Sequence, residues 1–172
     1  MKTLIAYFSH ADENYNVGFI KKGNTQKVAE LIQEVLKEKG EEAGLFCIKP
    51  LEEYPSSYSE CIAKAKKELK EKARPAIKEK MDLASFDVIY LGYPNWWGDL
   101  PMCVYTFLEN GGSLKGKTII PFCTHEGSGL GNTENCLKKA FPEAEYKGGL
   151  AIQGIVAQQD EKRTRSLIEG WL

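Results

Sequence analysis

The sequence predicts an α/β fold with a doubly wound parallel sheet, and two observations lead to this prediction. Five short apolar runs alternate with amphipathic helical patterns along the chain, which is typical of a parallel sheet covered by helices on both faces. The 172 residues contain no internal repeat, linker or low-complexity segment. Because a chain of this length can bury one sizeable core, residues 1–172 are predicted to form a single domain.

Five strands are predicted, because each apolar run is short, rich in β-branched or aromatic residues, and bounded by turn residues. The runs comprise residues 4–8, 45–48, 88–92, 118–123 and 150–156. The third run has the composition of a strand that is buried on both faces. It is therefore expected in the middle of the sheet.

Helices are predicted where apolar residues recur at the spacing of one helical face. The recurring residues are Val28, Leu31, Ile32, Val35 and Leu36 in the first helix, Tyr58, Ile62, Ala65 and Leu69 in the second, and Thr164, Leu167, Ile168 and Trp171 in the last. Shorter helices are expected at residues 102–108 and between Gly131 and Ala140. The charged run at residues 64–72 is interpreted as a solvated helix face.

Overall charge and composition argue against several functional classes. The 23 basic and 24 acidic residues leave a formal net charge of -1, so no broad field would attract nucleic acid or an anionic membrane. No window is long and apolar enough to span a bilayer, and the apolar run after Met1 is too short for a secretory signal. A cytoplasmic protein is therefore expected. The five cysteines include no C-x-x-C pair, so neither a disulfide framework nor a zinc site is predicted.

Three unusual loops, residues 9–25, 94–99 and 124–131, each follow a predicted strand. Because the carboxyl ends of parallel strands lie at one edge of a sheet, the loops are expected to converge on one crevice. The first loop ends in Gly23-Asn24-Thr25 at a helix start, where free N–H groups favour an anion, although Thr25 is equally well explained as a helix cap. No Lys-Ser/Thr pair follows the glycine, so a monophosphate fits better than a nucleoside triphosphate.

The other two loops contain residues with two interpretations each. Trp96 and Trp97 are adjacent, so at most one of them is expected to fold back into the core. In one interpretation, one indole packs in the core and the other lies at the surface. In the other interpretation, the two indoles form the wall of a binding site for a flat ring. His125 is either a functional residue, which binds such a ring or moves a proton near neutral pH, or a loop residue whose ring faces solvent.

Together the three loops resemble those of the flavodoxin family, over nearly the whole chain. The match is closest to bacterial flavodoxins with a Pro-x-Trp-Trp-Gly loop and a Thr-His-x-Gly-Ser-Gly loop, here residues 94–98 and 124–129. The resemblance implies a three-layer fold with five parallel strands in the order 2-1-3-4-5, and FMN bound without a covalent link. By the same resemblance, Ser9, Asn24 and Thr25 would hold the phosphate. The residues that would clasp the ring are Pro94, Asn95, Trp96, Trp97, Gly98, Thr124, His125, Glu126, Gly127, Ser128 and Gly129.

Two features depart from the family pattern. Residues 11–22 are inserted between His10 and Gly23, which weakens the case for His10 as a phosphate donor. The inserted loop is interpreted either as a lid or as a surface excursion. The near-neutral charge differs from the strongly acidic surface of electron-carrier flavodoxins, so docking to a basic partner through a broad field is not expected.

The resemblance implies electron transfer between redox partner proteins as the function. The alternative is an FMN-dependent oxidoreductase that takes hydride from NAD(P)H and reduces a quinone-type acceptor. A third hypothesis is a phosphate- or nucleotide-sensing module that keeps the sheet without the flavin. No catalytic residue and no metal ligand are assigned. Because neither ring-binding loop contains arginine or lysine, a reduced flavin would lack a neutralising charge and have a low reduction potential.

Overall fold

The computed structural model describes residues 1–172. Its strands are β1 (Thr3–Tyr7), β2 (Asp12–Asn14), β3 (Gly18–Ile20), β4 (Ala43–Cys47), β5 (Val88–Pro94), β6 (Thr118–His125), β7 (Glu145–Tyr146) and β8 (Leu150–Gln153). Its helices are α1 (Asn24–Glu38), α2 (Tyr58–Glu71), α3 (Met102–Asn110), α4 (Thr133–Ala140), α5 (Gly154–Gln159) and α6 (Glu161–Trp171). No helix combines the length and the hydropathy needed to cross a bilayer.

Six strands form one parallel sheet in the order β4-β1-β5-β6-β7, and β8 also pairs with β6. Strand β7 pairs with the first part of β6 and β8 pairs with its last part, so these two strands together occupy the fifth position of the sheet. The predicted strand order 2-1-3-4-5 is confirmed. The gap between them lies opposite Pro121, which has no N–H for the ladder. A Cβ on Gly149 would lie 2.9 Å from the Pro121 carbonyl oxygen, so a residue with a side chain would clash here and only glycine fits.

Helices cover both faces of the sheet, which confirms the doubly wound, three-layer arrangement. Along β1, Leu4 and Ala6 belong to one buried cluster, whereas Ile5 and Tyr7 belong to the other, because successive side chains of a strand point to opposite faces. The first cluster includes buried residues of α2, α3 and α4. The second includes the apolar face of α1 and buried residues of α5 and α6.

Some predicted bounds and faces differ from the structure. Strand β5 continues to Pro94, because its pairing with β6 extends through Pro94 and Thr124. The predicted strand at residues 150–156 is wrong beyond Gln153, where α5 begins. In the last helix Thr164 and Ile168 are fully buried, but Leu167 is 40% exposed, so the buried face is narrower than predicted.

The inserted residues 11–22 contain an antiparallel hairpin formed by β2 and β3. The Asn14 side-chain amide donates to the carbonyl oxygens of His10 and Ala11, both at 3.0 Å, and so holds the base of the hairpin. Sequence patterns predicted only a polar loop here, because three-residue strands are too short to show an alternation.

Candidate functional site

A cavity of about 390 Å³ opens at the carboxyl ends of the central strands. All three predicted loops contribute to its wall, so their predicted convergence on one crevice is confirmed. Small-molecule sites typically have volumes of roughly 300–1,000 Å³. The cavity is therefore large enough for a cofactor-sized ligand.

The residues predicted to hold a ligand fall into two groups. Those that line the cavity are Asn24, Pro94, Asn95, Trp96, Trp97, Thr124, His125, Glu126 and Ser128. Those that do not line it are Ser9, Thr25, Gly98, Gly127 and Gly129. Each residue of the second group is in a loop or helix end that carries members of the first group, so its contribution is to the shape of the wall.

One end of the cavity lies at the N-terminus of α1. The first N–H groups of a helix have no partner within it, and together with the helix dipole they favour an anion. Asn24 is only 8% exposed, and its Oδ1 atom has no hydrogen-bond partner. Since buried polar atoms are nearly always paired, this orphaned amide indicates that a polar ligand completes the site.

The α1 N-terminus is held in place by close contacts with the other loops. The Gln26 N–H donates to Ser9 Oγ at 3.1 Å, and the hydroxyls of Thr25 and Thr124 lie 2.8 Å apart. A Cβ on Gly23 would lie 2.1 Å from Ser9 Oγ, so only glycine allows the first loop to pass this close. The Ser9 and Thr25 hydroxyls thus position the helix end, and neither side chain lines the cavity.

His10 lies on the cavity wall despite the insertion that follows it. Its Nε2 atom is buried and has no partner, which makes it a second orphaned polar atom in the cavity. Burial lowers the pKa of His10, and Asp12 only partly opposes this shift. A neutral imidazole therefore faces the cavity near neutral pH.

The other end of the cavity is aromatic. Trp96 packs inward, with its ring centroid 5.5 Å from that of Phe8 and 5.1 Å from that of Tyr54. Trp97 is 48% exposed at the cavity mouth. The prediction that at most one indole packs into the core is confirmed.

Trp97 and Gly98 form the centre of a tight turn, with φ angles of 55° and 79°. Trp96 and Asp99 close the turn by exchanging two backbone hydrogen bonds, at 3.1 and 3.2 Å, as in a type I′ hairpin. A bulky side chain at positive φ is strained, and such strain clusters at functional sites. The turn presents the Trp97 indole at the cavity mouth.

His125 is tied to its own loop. Its Nδ1 atom accepts a hydrogen bond from the Gly127 N–H at 2.9 Å, and burial lowers its pKa. The ring is half-buried and lines the cavity. The ring therefore shapes the turn and contributes to the cavity wall.

Part of the cavity wall was not predicted from the sequence. These residues are Glu13, Asn14 and Tyr15 of the hairpin segment and Tyr58, Cys61, Ile62 and Ala65 of α2. The apolar spacing of Tyr58, Ile62 and Ala65 predicts the helix, but it does not show that the apolar face lines a cavity. The two walls meet where Tyr15 stacks on Tyr58, with centroids 6.1 Å apart, and the Tyr58 N–H donates to the Glu13 carboxylate at 2.8 Å.

The cavity lining contains no lysine or arginine, whereas it contains the carboxylates Glu13 and Glu126. Burial raises the pKa of Glu126, and its hydrogen bond from Asn16 partly opposes the shift. Any negative charge that a ligand brings is therefore met by neutral donors and helix ends rather than by cationic side chains.

Comparisons with known proteins agree with this architecture. The flavodoxin family model matches residues 2–166, whereas no curated protein matches the sequence.

Several solved structures are similar to this chain. A Bacteroides eggerthii protein described as a flavoprotein is 33% identical, with 98% of this chain and 96% of that chain covered and a TM-score of 0.74. A second, from Bacteroides uniformis, is 28% identical, with coverages of 99% and 96% and a TM-score of 0.76. A Lactobacillus acidophilus flavoprotein in complex with FMN is 20% identical, with coverages of 87% and 92% and a TM-score of 0.68. Because the family model matches residues 2–166, nearly the whole chain, the protein belongs to the flavodoxin family.

Proposed function

We propose that this protein binds FMN without a covalent link and passes electrons between redox partner proteins. The observation that carries the proposal is the presence, in one cavity, of an anion-binding end at Asn24 and an aromatic end at Trp96 and Trp97. An FMN molecule has the same two parts, a phosphate and a planar ring. Membership of the flavodoxin family supports the same cofactor.

The anion-binding end at Asn24, called the phosphate end below, would bind the phosphate without a cationic side chain. The N–H groups of Asn24 and Thr25 belong to the first turn of α1 and are available to an anion. A 180° rotation of the Asn24 amide presents its NH₂ group where the unpaired oxygen lies, because the two ends of the amide are isosteric. His10 adds a neutral ring nitrogen to the same wall.

The aromatic end positions the ring and limits its contact with water. When bound, FMN supplies a ring that accepts and releases electrons. Trp96 supports this end of the cavity from within, and Trp97 offers an indole face at the mouth. Since no cationic side chain lines the cavity, negative charge added at the ring is disfavoured, which favours a low reduction potential.

Titration of the cofactor-free protein with FMN tests the first part of the proposal. We expect saturable quenching of flavin fluorescence at one FMN per chain. A protein that leaves flavin fluorescence and absorbance unchanged would refute FMN binding and favour the sensing module.

A coupled electron-transfer assay tests the second part. An NADPH-dependent flavoprotein reductase would supply electrons, and cytochrome c would accept them. We expect the FMN-loaded protein to increase cytochrome c reduction above the rate with the same concentration of free FMN. Equal rates would contradict a role as an electron carrier between proteins.

A second candidate function is the reduction of quinone-type acceptors by NAD(P)H. The observation that favours it is the wall formed by Tyr15 and Tyr58, which encloses the cavity from the side of the hairpin. Steady-state oxidation of NADH or NADPH with a quinone separates the two candidates. Turnover faster than that of free FMN would support the enzyme, and turnover at the same rate would support the carrier.

A further inference from the structure

The structure places a carboxylate at the phosphate end of the cavity. Glu126 belongs to the loop predicted to clasp the ring, but its side chain turns toward the start of α1. A Cβ on Gly154 would lie 2.3 Å from Glu126 Oε1 and 2.5 Å from Asn24 Nδ2. The Glu126 carboxylate and the Asn24 amide therefore lie side by side above the backbone of Gly154.

The hairpin holds this carboxylate in place. Asn16 lies in the turn between β2 and β3, and its side-chain amide donates to Glu126 Oε2 at 3.2 Å. This contact bridges the inserted hairpin and the third loop. It gives the hairpin a role at the phosphate end in addition to the wall it forms beside α2.

No lysine or arginine forms an ion pair with Glu126. Lys22, at the end of the hairpin segment, forms an ion pair with Glu30, and Lys27 donates to the Gln158 carbonyl oxygen at 3.1 Å. The α1 N-terminus and the Asn24 amide are thus the favourable partners for negative charge in this region. A phosphate monoester, which carries about −1.5 to −2 charges at neutral pH, requires the same partners.

We propose that Glu126 is a specificity-determining residue that competes with the phosphate group of the flavin for the N-terminus of α1. Asn16 is its positioning residue. The carboxylate reduces the preference of the site for FMN over riboflavin, which has the same ring but no phosphate. Binding of FMN displaces the carboxylate and breaks its contact with the hairpin. This inference rests on the proposed function.

Flavin affinities of single variants test the inference. We would titrate the cofactor-free wild type, Glu126→Gln, Asn16→Ala and Glu143→Gln with FMN and with riboflavin at neutral pH and low salt. Quenching of flavin fluorescence reports each dissociation constant. The informative quantity is the riboflavin constant divided by the FMN constant, because this ratio cancels any effect on the ring end. Glu143 is the matched control, since it is an exposed glutamate that does not line the cavity.

We expect Glu126→Gln to raise this ratio about tenfold, because a neutral amide removes the repulsion while keeping the shape of the side chain. Asn16→Ala should raise it by roughly threefold through loss of the tether. Glu143→Gln should leave it within about twofold, since Glu143 is exposed to solvent and lies outside the cavity lining. An unchanged or lower ratio in Glu126→Gln would overturn the inference while leaving FMN binding intact. Failure of the wild type to bind either flavin would overturn the proposed function together with the inference.

Discussion

The side-chain amide of Asn95 donates a hydrogen bond to the Gly129 carbonyl oxygen at 2.8 Å, and so joins the two loops at the aromatic end of the cavity. The same amide also donates to Ser128 Oγ at 3.2 Å, while its oxygen accepts from the Gly98 N–H at 2.9 Å. The Asn95 side chain thus stabilises the tight turn that carries Trp97, and it also holds this turn against the third loop. Loops held this way lose less entropy when a ligand binds.

Replacement of Asn95 by alanine should weaken FMN binding about tenfold, because each lost hydrogen bond contributes about 1 kcal/mol and the loops become less ordered. The free energy of unfolding should fall by roughly 1–3 kcal/mol. Fluorescence titration and urea unfolding measure the two effects. Asn110→Ala is the control, since Asn110 is exposed at the end of α3. Equal FMN affinity in the two variants would show that the loops do not depend on Asn95.

The hydroxyl pair of Thr25 and Thr124 should show strong coupling in a double-mutant cycle. Both residues are buried, and their hydroxyl oxygens lie 2.8 Å apart. Each single change to valine leaves one buried hydroxyl without its partner and should cost about 1–3 kcal/mol of unfolding free energy. The double variant should cost less than the two single changes together. Urea unfolding of the four proteins measures this, and additive costs would contradict the coupling.

The two tryptophans should differ in what they stabilise. Trp96→Ala should lower the free energy of unfolding by about 2–3 kcal/mol, because it opens a void beside Phe8 and Tyr54. Trp97→Asn should leave stability within about 1 kcal/mol, because relief of the positive φ offsets loss of the Lys66 contact. The same change should weaken FMN binding roughly five- to tenfold through the lost aromatic face. A large loss of stability in Trp97→Asn would contradict its placement at the surface.

Stability should decrease as the pH falls below about 6.5, the ordinary pKa of histidine. Burial lowers the pKa of His10 and of His125 in the folded protein, so the unfolded chain binds protons first. The stability from neutral histidines is therefore complete above about pH 6.5 and is lost as the pH drops toward the folded-state values.

The His10→Gln variant isolates this effect. The difference in unfolding free energy between pH 7.5 and pH 5.5 should be smaller in the variant than in the wild type. Glu68 and Glu126 have raised pKa values that change stability in the opposite direction, but they are present in both proteins and cancel in the comparison. The same pH dependence in both proteins would show that His10 is not protonated preferentially in the unfolded chain.

Local sequence patterns predicted the helices and strands better than they predicted the residues that line the cavity. The five apolar positions that the spacing predicts for one face of α1 are all buried. In α2 the same periodicity predicts the helix but not the cavity, which Ile62 and Ala65 of its apolar face help to line. A helical stripe shows which side of a helix is apolar, but not whether protein or ligand covers it.

The sequence by itself determined the alternation of strands and helices and the sheet edge at which the three loops meet. Apolar periodicity and turn residues act over a few neighbouring positions, so a single chain shows them directly. Only the tertiary structure decided that Trp96 packs inward while Trp97 faces out, that the inserted hairpin walls the cavity, and that Glu126 lies beside Asn24. These outcomes depend on contacts between residues far apart in the chain. The free energies of such contacts cannot be inferred from the spacing of neighbouring residues.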